Sequence, residues 1–265
     1  MTIVDQLNRT IQIMHIPKRI VSLVPSQTEL LCDLGLEPSL VGITKFCVHP
    51  KHLLSNKQVV GGTKQVHFDK IKALQPDIIL CNKEENTQEM IEVLETIAPV
   101  HISDIYTLED CLELIHMYGN LFTVEDKAGK LVATIKQERL KFQEDIKGLA
   151  PLKTVYFIWK HPWMVAANHT FINNLMQEAL FENLFQNLER YPEIDLDKDI
   201  DGQVEVIMLS TEPFPFKDSH VTDMKNKFPQ AKVLLVDGEL FSWYGSRLAK
   251  SFEYFKALRF ESLKG

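Results

Sequence analysis

Aromatic side chains concentrate in the segments that follow the predicted β-strands of this 265-residue chain. The group contains all three tryptophans and five other rings: Phe46, Trp159, Trp163, Phe214, Phe216, Phe241, Trp243 and Tyr244. Aromatic residues are usually buried, so their concentration in loops needs a physical reason. They either plug the ends of the sheets or line a cleft in which a flat or bulky small molecule stacks. The predicted stacking surfaces are Phe46, Trp159, Trp163, Phe214, Trp243 and Tyr244.

Polar and charged side chains share the same loops. The polar members of the predicted ligand site are His49, Thr63, Lys64, Lys83, Glu84, His161, Glu212 and Arg247. Lysine and arginine recognise carboxylates through charge-assisted hydrogen bonds, and arginine can make two parallel bonds. The mixture of rings and charges therefore suits an anionic metal chelate or a corrinoid with carboxylate arms.

A direct metal site is the weaker interpretation of these loops. Cys47 and His49 are two residues apart, and His161 could join them from the other half of the chain. A Cys-x-His pair alone is a weak signal, because a stable site needs three or four converging ligands. We expect no intrinsic cofactor or metal, and Cys47, His49 and His161 are the candidates to test. His49 is alternatively an axial ligand to the metal inside a bound macrocycle.

Catalytic motifs are absent from the sequence. It contains no GxSxG nucleophile elbow, no phosphate-binding P-loop and no GxGxxG dinucleotide fingerprint. Glu84 and Glu85 are adjacent, so in a helix or a strand their carboxylates would point in different directions, which does not suit paired-carboxylate catalysis. The sequence therefore predicts a binding protein and not an enzyme.

One long amphipathic segment, residues 123–148, must position these loops. It contains no proline, and its apolar residues recur at helical spacing: Val124, Ala128, Leu131, Val132, Ile135, Phe142 and Ile146. Thr123 is the predicted N-cap. The pattern predicts one long helix, either on the surface of a single domain or as a rigid connection between two lobes.

Strand and helix patterns alternate on both sides of this segment. Before it, apolar runs such as IVSLV and DIILC alternate with helical patterns, and the alternation restarts after it with TVYFIW. Such alternation predicts an α/β fold with mostly parallel sheets. We expect two Rossmann-like lobes, residues 1–122 and 149–265, joined by a backbone helix at 123–148. Ligand would then bind in a cleft between the lobes, at the carboxyl ends of their strands.

Composition and charge limit the classes of partner. The net charge of −7 gives no electrostatic support for binding nucleic acid. No apolar run is long enough to span a bilayer. The first twenty residues lack the features of a secretory signal, so the protein is either cytoplasmic or begins after a removed signal. The four cysteines form no CxxC pair, and Cys32, Cys81 and Cys111 are expected to be buried thiols.

Several stretches together resemble one protein family. RIVSLVPSQTELLCDLGL, LVGITKFCVHP, VVGGTK, FDKIKALQPDIILCNKEEN and FINNLMQEALFENLFQN look like segments of the class III substrate-binding proteins of ABC importers, closest to the branch that binds vitamin B12. The resemblance runs from about Arg19 to Leu258. It implies two Rossmann-like lobes on one backbone helix, with cobalamin, haem or an iron–siderophore complex as ligand.

The resemblance also implies a membrane partner. In this family one acidic residue on each lobe docks onto arginines of the permease, and the matching positions here are Asp69 and Asp197. An acid in the first turn of a helix needs no such partner, so both interpretations stay open. The implied protein is a monomeric, periplasmic or membrane-associated solute receptor. The alternative is a cytoplasmic corrinoid, tetrapyrrole or metal carrier of the same fold that is not coupled to a permease.

Overall fold

A computed structural model describes residues 1–200 and 202–263 of the chain. The packing groups the chain into two units. The first contains Met1–Ile105, Glu109–Ile135 and Tyr244–Arg247, and the second contains Tyr106–Leu108, Lys136–Trp243 and Leu248–Gly265. This grouping differs in three places from the predicted division into 1–122, 123–148 and 149–265, the first being that residues 106–108 group with the second unit. The long helix is shared between the units, and residues 244–247 pack with the first unit.

A short hairpin opens the chain, as the sequence predicts. Strands β1 (Thr2–Val4) and β2 (Thr10–Gln12) pair antiparallel, and Asn8 in the turn adopts a positive φ of 59°. Asparagine tolerates this left-handed conformation better than most residues. The hairpin therefore follows from local turn chemistry.

The first unit is built on a five-stranded parallel sheet. Its strands are β3 (Ile20–Ser22), β4 (Leu40–Ile43), β5 (Gln58–Val59), β6 (Ile78–Asn82) and β7 (Val100–Ser103). They lie in the order β5-β4-β3-β6-β7. The central strands β3 and β6 are entirely buried, as expected for a parallel sheet covered on both faces. Their carboxyl ends point to one edge of the sheet, which we call the first carboxyl edge.

Side chains of the hairpin loop cover the outer side of β7. The carboxylate of Asp5 accepts the N–H of Ile102 at 3.2 Å, and the guanidinium of Arg9 donates to the carbonyl of Val100 at 2.8 Å. Asp5 and Arg9 also form an ion pair at 2.7 Å. An edge strand presents unpaired backbone groups, and these contacts satisfy two of them.

Helices connect the strands of the first unit. They are α1 (Pro25–Asp33), α2 (Leu53–Asn56), α3 (Phe68–Ala73), α4 (Gln88–Leu94) and α5 (Leu108–Phe122), of which α5 has its first residue in the second unit. Helix α1 begins at Pro25, and Ser26 lies buried within its first turn. Gly35 follows the helix with a φ of +78° that suits glycine.

The long helix, α6 (Glu125–Asp145), is shorter than the predicted segment 123–148. Thr123 is not its N-cap, because Thr123 has a φ of +56° and its N–H bonds back to Asn120 at the end of α5. The predicted apolar stripe is confirmed by burial of Ala128, Val132, Ile135, Phe142 and Ile146. Arg139, which interrupts the stripe, donates to Glu178 at 2.8 Å.

The second unit contains another mainly parallel sheet. Its strands are β8 (Leu152–Trp159), β9 (Met164–Val165), β10 (Phe181–Asn183), β11 (Val206–Ser210) and β12 (Lys232–Val236). Four of them lie parallel in the order β10-β8-β11-β12, and β9 pairs antiparallel with β8. The carboxyl ends of β8, β11 and β12 define the second carboxyl edge. The predicted α/β class is confirmed in both units.

The helices of the second unit are α7 (Phe171–Glu178), α8 (Asp218–Lys227), α9 (Gly238–Ser242) and α10 (Leu248–Ala257). Thr170 caps α7 by accepting the N–H of Asn173 at 3.1 Å. The sequence pattern does not predict α2, α9, β5, β9 or β10. Each spans five residues or fewer, which is too short for a hydrophobic period to be visible.

Each unit has its own apolar core. The core of the first unit joins β3, β6 and β7 to α3 and α4, and that of the second joins β8, β11 and β12 to α8. Within the second unit, Phe142 of α6 packs against Phe252 and Phe255 of α10 at ring distances of 6.0 and 6.2 Å. None of the described helices combines the length and apolar character needed to cross a membrane.

Candidate ligand-binding surfaces

An aromatic pair with one exposed member lies at the second carboxyl edge. Trp159, the last residue of β8, is 39% exposed, and its ring meets that of Phe214 edge-to-face at 5.6 Å. The N–H of Phe214 bonds to the carbonyl of Ile158 at 3.3 Å, which holds the loop after β11 beside β8. The exposed part of the Trp159 ring is apolar surface on which a ligand could stack. Trp159 and Phe214 are hereafter called the ring platform.

Other rings support this platform from the protein side. Trp163 stacks on Phe216 with an interplanar angle of 10° and meets Phe157 edge-to-face at 5.2 Å. Phe216 is buried and belongs to the core of the second unit. The structure therefore makes Trp163 a packing residue behind the platform, although it was predicted as a stacking surface.

His220 completes the support and was not predicted from the sequence. Its ring meets Phe214 at 5.7 Å and Phe216 at 5.4 Å, and its Nδ1 accepts the N–H of Lys217 at 3.0 Å. Desolvation, together with the charge of Lys160, lowers the pKa of His220 and favours the neutral ring that this acceptor role requires. The sequence signal that could have identified His220 is its position three residues after the N-cap of α8, where a side chain can bond back to the N-cap backbone.

Glu212 is the predicted polar residue that the second carboxyl edge positions most firmly. Its Oε1 accepts hydrogen bonds from Ser242 at 2.7 Å and from the indole N–H of Trp243 at 2.9 Å. Burial raises the pKa of Glu212, and the charges of Glu239 and Asp237 act in the same direction. Glu212 is thus a partly buried carboxylate held in one orientation.

Trp243 is not a stacking surface, contrary to the prediction. Trp243 is 8% exposed, and its indole N–H donates a hydrogen bond to Glu212 Oε1. The short helix α9 places Trp243 here, because the helix ends at Ser242 and the N–H of Trp243 bonds to the carbonyl of Glu239. Its role is to orient Glu212.

Lys160 and His161 follow Trp159 along the chain. The ammonium of Lys160 lies 5.4 Å from the ring centre of Trp163 and 4.0 Å from a carboxylate oxygen of Asp223. His161 is exposed, with a φ of +68°, and its ring centre lies 6.4 Å from that of Trp163. Both are at the second carboxyl edge, as predicted.

The first carboxyl edge contains a buried polar network that the sequence did not reveal. Gln27 is fully buried, and its side-chain nitrogen contacts Ser103 Oγ at 2.7 Å and Tyr244 Oη at 3.0 Å. Its side-chain oxygen accepts the hydroxyl of Tyr118 at 2.6 Å. The side-chain nitrogen of Asn82 donates a hydrogen bond to Ser103 Oγ at 3.0 Å, which connects Asn82 to the same network. These groups satisfy one another, so they stabilise the fold and leave little for a ligand.

Tyr244 and Arg247 lie inside the first unit and not on a ligand-facing rim as predicted. Burial raises the pKa of Tyr244, whose hydroxyl is bonded to Gln27 and Ser103. Arg247 is 8% exposed and pairs with Glu29 of α1 through two bonds of 2.8 and 2.9 Å. Two parallel bonds in a buried setting make this a structural ion pair.

Phe46 is the exposed ring of the first carboxyl edge among the predicted residues. It follows β4, is 48% exposed, and has the ammonium of Lys45 at 4.9 Å from its ring centre. The hydroxyl of Thr44 accepts the N–H of Phe46 at 3.3 Å. The placement agrees with the predicted stacking role, which stays a prediction.

The remaining predicted residues of the first unit form a rim around the loop after β6. Asn86 donates to the carbonyl of Thr63 at 2.8 Å, and the ammonium of Lys64 bonds to the carbonyl of Glu84. Lys83 pairs with Asp104 at 2.7 Å. His49 is half-buried beside a cis bond to Pro50. These contacts hold the loop after β6 in place, and the ligand-binding role of Thr63, Lys64, Lys83, Glu84 and His49 stays a prediction.

Cys47 is excluded as a metal ligand by its surroundings. Its thiol is fully buried and contacts the hydroxyls of Thr28 at 3.1 Å and Thr44 at 3.3 Å. Burial raises the pKa of Cys47, so it stays a thiol, whereas a metal ligand must be a thiolate. Within residues 1–200 and 202–263, no three His, Cys, Asp or Glu side chains are arranged to hold a metal ion. Cys81 and Cys111 are buried as predicted, and Cys32 is partly exposed.

The two predicted docking acids are both exposed. Asp69 lies in the first turn of α3, where a carboxylate suits the positive end of the helix dipole. Asp197 lies in an irregular loop of the second unit and pairs with the ammonium of Lys227. Their docking role stays a prediction.

Comparison with known proteins identifies the family. Residues 20–235 match the family model described as "Periplasmic binding protein". The chain is 31% identical to an uncharacterized ABC transporter substrate-binding lipoprotein, YvrC, of Bacillus subtilis over 56% of this chain and 48% of that protein. It is 23% identical to the vitamin B12-binding protein of Vibrio parahaemolyticus, with 80% of this chain and 77% of that protein covered.

Solved structures share the fold. The periplasmic vitamin B12 binding protein BtuF of Vibrio cholerae has a TM-score of 0.78 and 18% identity, covering 94% of this chain and 99% of that chain. The periplasmic heme-binding protein RhuT of Roseiflexus sp. RS-1 has a TM-score of 0.81 and 14% identity, covering 93% and 99%.

The chain therefore belongs to the periplasmic binding protein family. Its fold is that of the class III substrate-binding proteins, as the sequence resemblance implied.

Proposed function

We propose that this protein is the solute receptor of an ABC importer and that its ligand is a cobalamin-type corrinoid or another flat metal chelate. The observation that carries the proposal is the ring platform at the carboxyl edge of a parallel sheet, in which the ring of Trp159 is exposed and that of Phe214 is partly buried beside it, in a chain of this family. Flat chelates present large apolar faces, and exposed rings bind such faces by stacking.

The curated relatives support the choice of ligand class. Several are vitamin B12-binding proteins, and the solved structures that share the fold include proteins that bind vitamin B12 or heme. The first unit adds a second exposed ring, Phe46, at its own carboxyl edge. Each edge thus offers apolar surface to a ligand beside polar groups that can fix its orientation.

Direct binding tests the ligand class. The purified protein would be titrated calorimetrically with cyanocobalamin, dicyanocobinamide, haemin and a ferric siderophore, and then with zinc and manganese salts. We expect saturable binding of one chelate with a dissociation constant of about 1 μM or tighter, within the usual range of specific sites. Binding of a free metal salt alone, or of none of these compounds, would contradict the proposal.

Coupling to a membrane permease is the second part of the proposal. Asp69 and Asp197 are exposed carboxylates that arginines of a partner could reach. Replacing both with alanine should abolish ligand uptake in cells and leave ligand affinity unchanged. Asp126→Ala, which removes an exposed acid from the start of α6, is the matched control. Loss of affinity in the double variant would place these acids in the ligand site instead.

A further inference from the structure

The carboxylate of Glu212 has one oxygen that is fixed and one that is not. Oε1 accepts hydrogen bonds from the hydroxyl of Ser242 at 2.7 Å and from the indole N–H of Trp243 at 2.9 Å. Among residues 1–200 and 202–263, no group donates a hydrogen bond to Oε2. Oε2 is not one of the fully buried atoms that lack a partner, so it is accessible to solvent and a ligand could reach it. Oε2 is therefore an acceptor that is positioned but unused.

Packing holds this carboxylate close to α9. A Cβ on Gly238 would come within 2.6 Å of Glu212 Cγ, so the absence of a side chain at Gly238 lets the two segments approach. The N–H of Gly238 bonds to Thr211 at 3.0 Å, which ties the residue before Glu212 to the same helix. Glu212 cannot move away from a ligand without disturbing these contacts.

Glu212 also lies next to the ring platform. It follows β11, which pairs with β8, the strand that ends at Trp159. Phe214 of the platform is two residues further along the same loop, at 5.6 Å from Trp159. A flat ligand that stacks on these rings would bring its peripheral arms towards Glu212 Oε2.

The electrostatic surroundings of Glu212 are negative. Asp237 and Glu239 both act on it, and they and its burial raise its pKa above the ordinary value. Lys160, a cation of this edge, already has Asp223 at 4.0 Å and the ring of Trp163 at 5.4 Å. A ligand carboxylate placed at Oε2 would meet like charge in a partly desolvated setting, whereas an amide N–H would meet an unused acceptor.

We propose that Glu212 determines ligand specificity by favouring a chelate whose arms are primary amides over one whose arms are carboxylates. This inference rests on the proposed function and refines it. It replaces the expectation, drawn from the lysines and arginine in the loops, that the ligand is anionic. At the second carboxyl edge the positioned polar group is an acceptor, so the ligand arm that meets it must be a donor.

The test compares two corrins that differ in their arms. Dicyanocobinamide carries amides and dicyanocobyrinic acid carries carboxylates around the same ring. At pH 8 the wild-type protein should bind the amide form at least about tenfold more tightly, since an unmatched buried charge costs that much or more. Glu212→Gln should reduce this preference to within about threefold, mainly because the acid form binds more tightly once the like charge is gone.

Two further variants separate charge from position. Trp243→Phe keeps the carboxylate but removes one donor that orients it, so it should lower the amide preference only partly. Glu182→Gln removes the same charge on β10, which pairs with the amino-terminal half of β8, and should leave the preference unchanged.

The outcomes distinguish the two proposals. If wild type binds corrins and the amide preference is the same in Glu212→Gln, the inference about Glu212 is wrong and the proposed function stands. If wild type prefers the acid form, the ligand is anionic and the inference is likewise wrong. If wild type binds neither corrin nor any other chelate tested, the proposed function fails, and the inference fails with it.

Discussion

The two carboxyl edges use similar residue types for different purposes. At the first edge Gln27, Ser103 and Tyr244 bond to one another inside the protein, and Arg247 pairs with Glu29. At the second edge Trp159 is exposed beside the partly buried Phe214, and Glu212 of the same loop keeps an oxygen that the protein does not use. The polar groups of the first edge stabilise the fold, whereas the second edge keeps rings and a hydrogen-bond acceptor available for a ligand.

This contrast assigns different costs to substitutions at the two edges. A change in the first edge should lower the free energy of unfolding and affect ligand affinity only through stability. A change in the ring platform should lower ligand affinity and leave the free energy of unfolding nearly unchanged. Four variants test the contrast, from the largest expected effect on stability to the smallest.

Arg247→Met should have the largest effect on stability. It leaves the Glu29 carboxylate buried without its partner, which costs about 3–5 kcal/mol of unfolding free energy. Urea unfolding followed by circular dichroism would measure the change. The double variant Glu29→Met/Arg247→Met removes both charges and should recover most of the loss. If the single variant loses less than about 1 kcal/mol, the pair behaves like an exposed one and the contrast between the edges is broken.

His101 should make the first unit sensitive to acid. It lies on β7, neither ring nitrogen has a hydrogen-bond partner among the described residues, and burial lowers its pKa to about 4. In the unfolded chain the His101 ring binds a proton below about pH 6.5, whereas in the folded protein the same ring stays neutral until about pH 4. Stability is therefore fully present above pH 6.5 and is lost as the pH falls towards 4.

The expected loss over that range is about 3 kcal/mol, since each pKa unit corresponds to about 1.4 kcal/mol. His101→Leu should remove this part of the pH dependence, and the difference between the two proteins should grow as the pH falls from 6.5 to 4. His15→Leu, which changes an exposed histidine on the same unit, is the control. Parallel pH profiles for wild type and His101→Leu would contradict the assignment.

Gln27→Leu should have an intermediate effect. The substitution leaves the hydroxyls of Tyr118, Ser103 and Tyr244 with fewer partners, and a buried unsatisfied group costs about 1–3 kcal/mol. Thermal unfolding would detect it, and Gln143→Leu on the surface of α6 provides a comparison. A stability equal to that of wild type would mean that water replaces the lost side chain and that this edge is open after all.

Trp159→Ala should have the smallest effect on stability, within about 0.5 kcal/mol, because its side chain is largely outside the core. Its effect on binding should be large, with a loss of about 1–3 kcal/mol if the ring stacks on the ligand. Leu140→Ala, at a residue 66% exposed on α6, should change neither quantity. A large loss of stability in Trp159→Ala would make the platform a plug of the sheet end.

The fold was predictable because its information is local. Apolar runs such as Ile78–Asn82 and the stripe from Ala128 to Ile146 each report their own structure through a simple period. Residues after those runs were then expected at the carboxyl edges, and Phe46, Trp159 and Glu212 lie there. Short elements such as α9 are too brief to show a hydrophobic period, so no sequence pattern indicated them.

The candidate site was predictable only in part, because burial depends on contacts that are distant in sequence. Trp159 and Trp243 follow strands in the same way, but α9 buries one of them and leaves its N–H bonded to Glu212. Tyr244 meets Gln27, a residue 217 positions away, and no local pattern reports such a pair. Residue type alone could therefore place a ring at an edge but could not say whether it faces a ligand.

Equilibrium dialysis of cyanocobalamin against wild type, Trp159→Ala and Leu140→Ala tests the central claim most directly. Wild type and Leu140→Ala should bind with the same micromolar or tighter affinity, and Trp159→Ala should bind about 5- to 150-fold more weakly while remaining folded. Equal affinity of all three proteins for cyanocobalamin would contradict the claim that the exposed platform of the second carboxyl edge is the ligand-stacking surface.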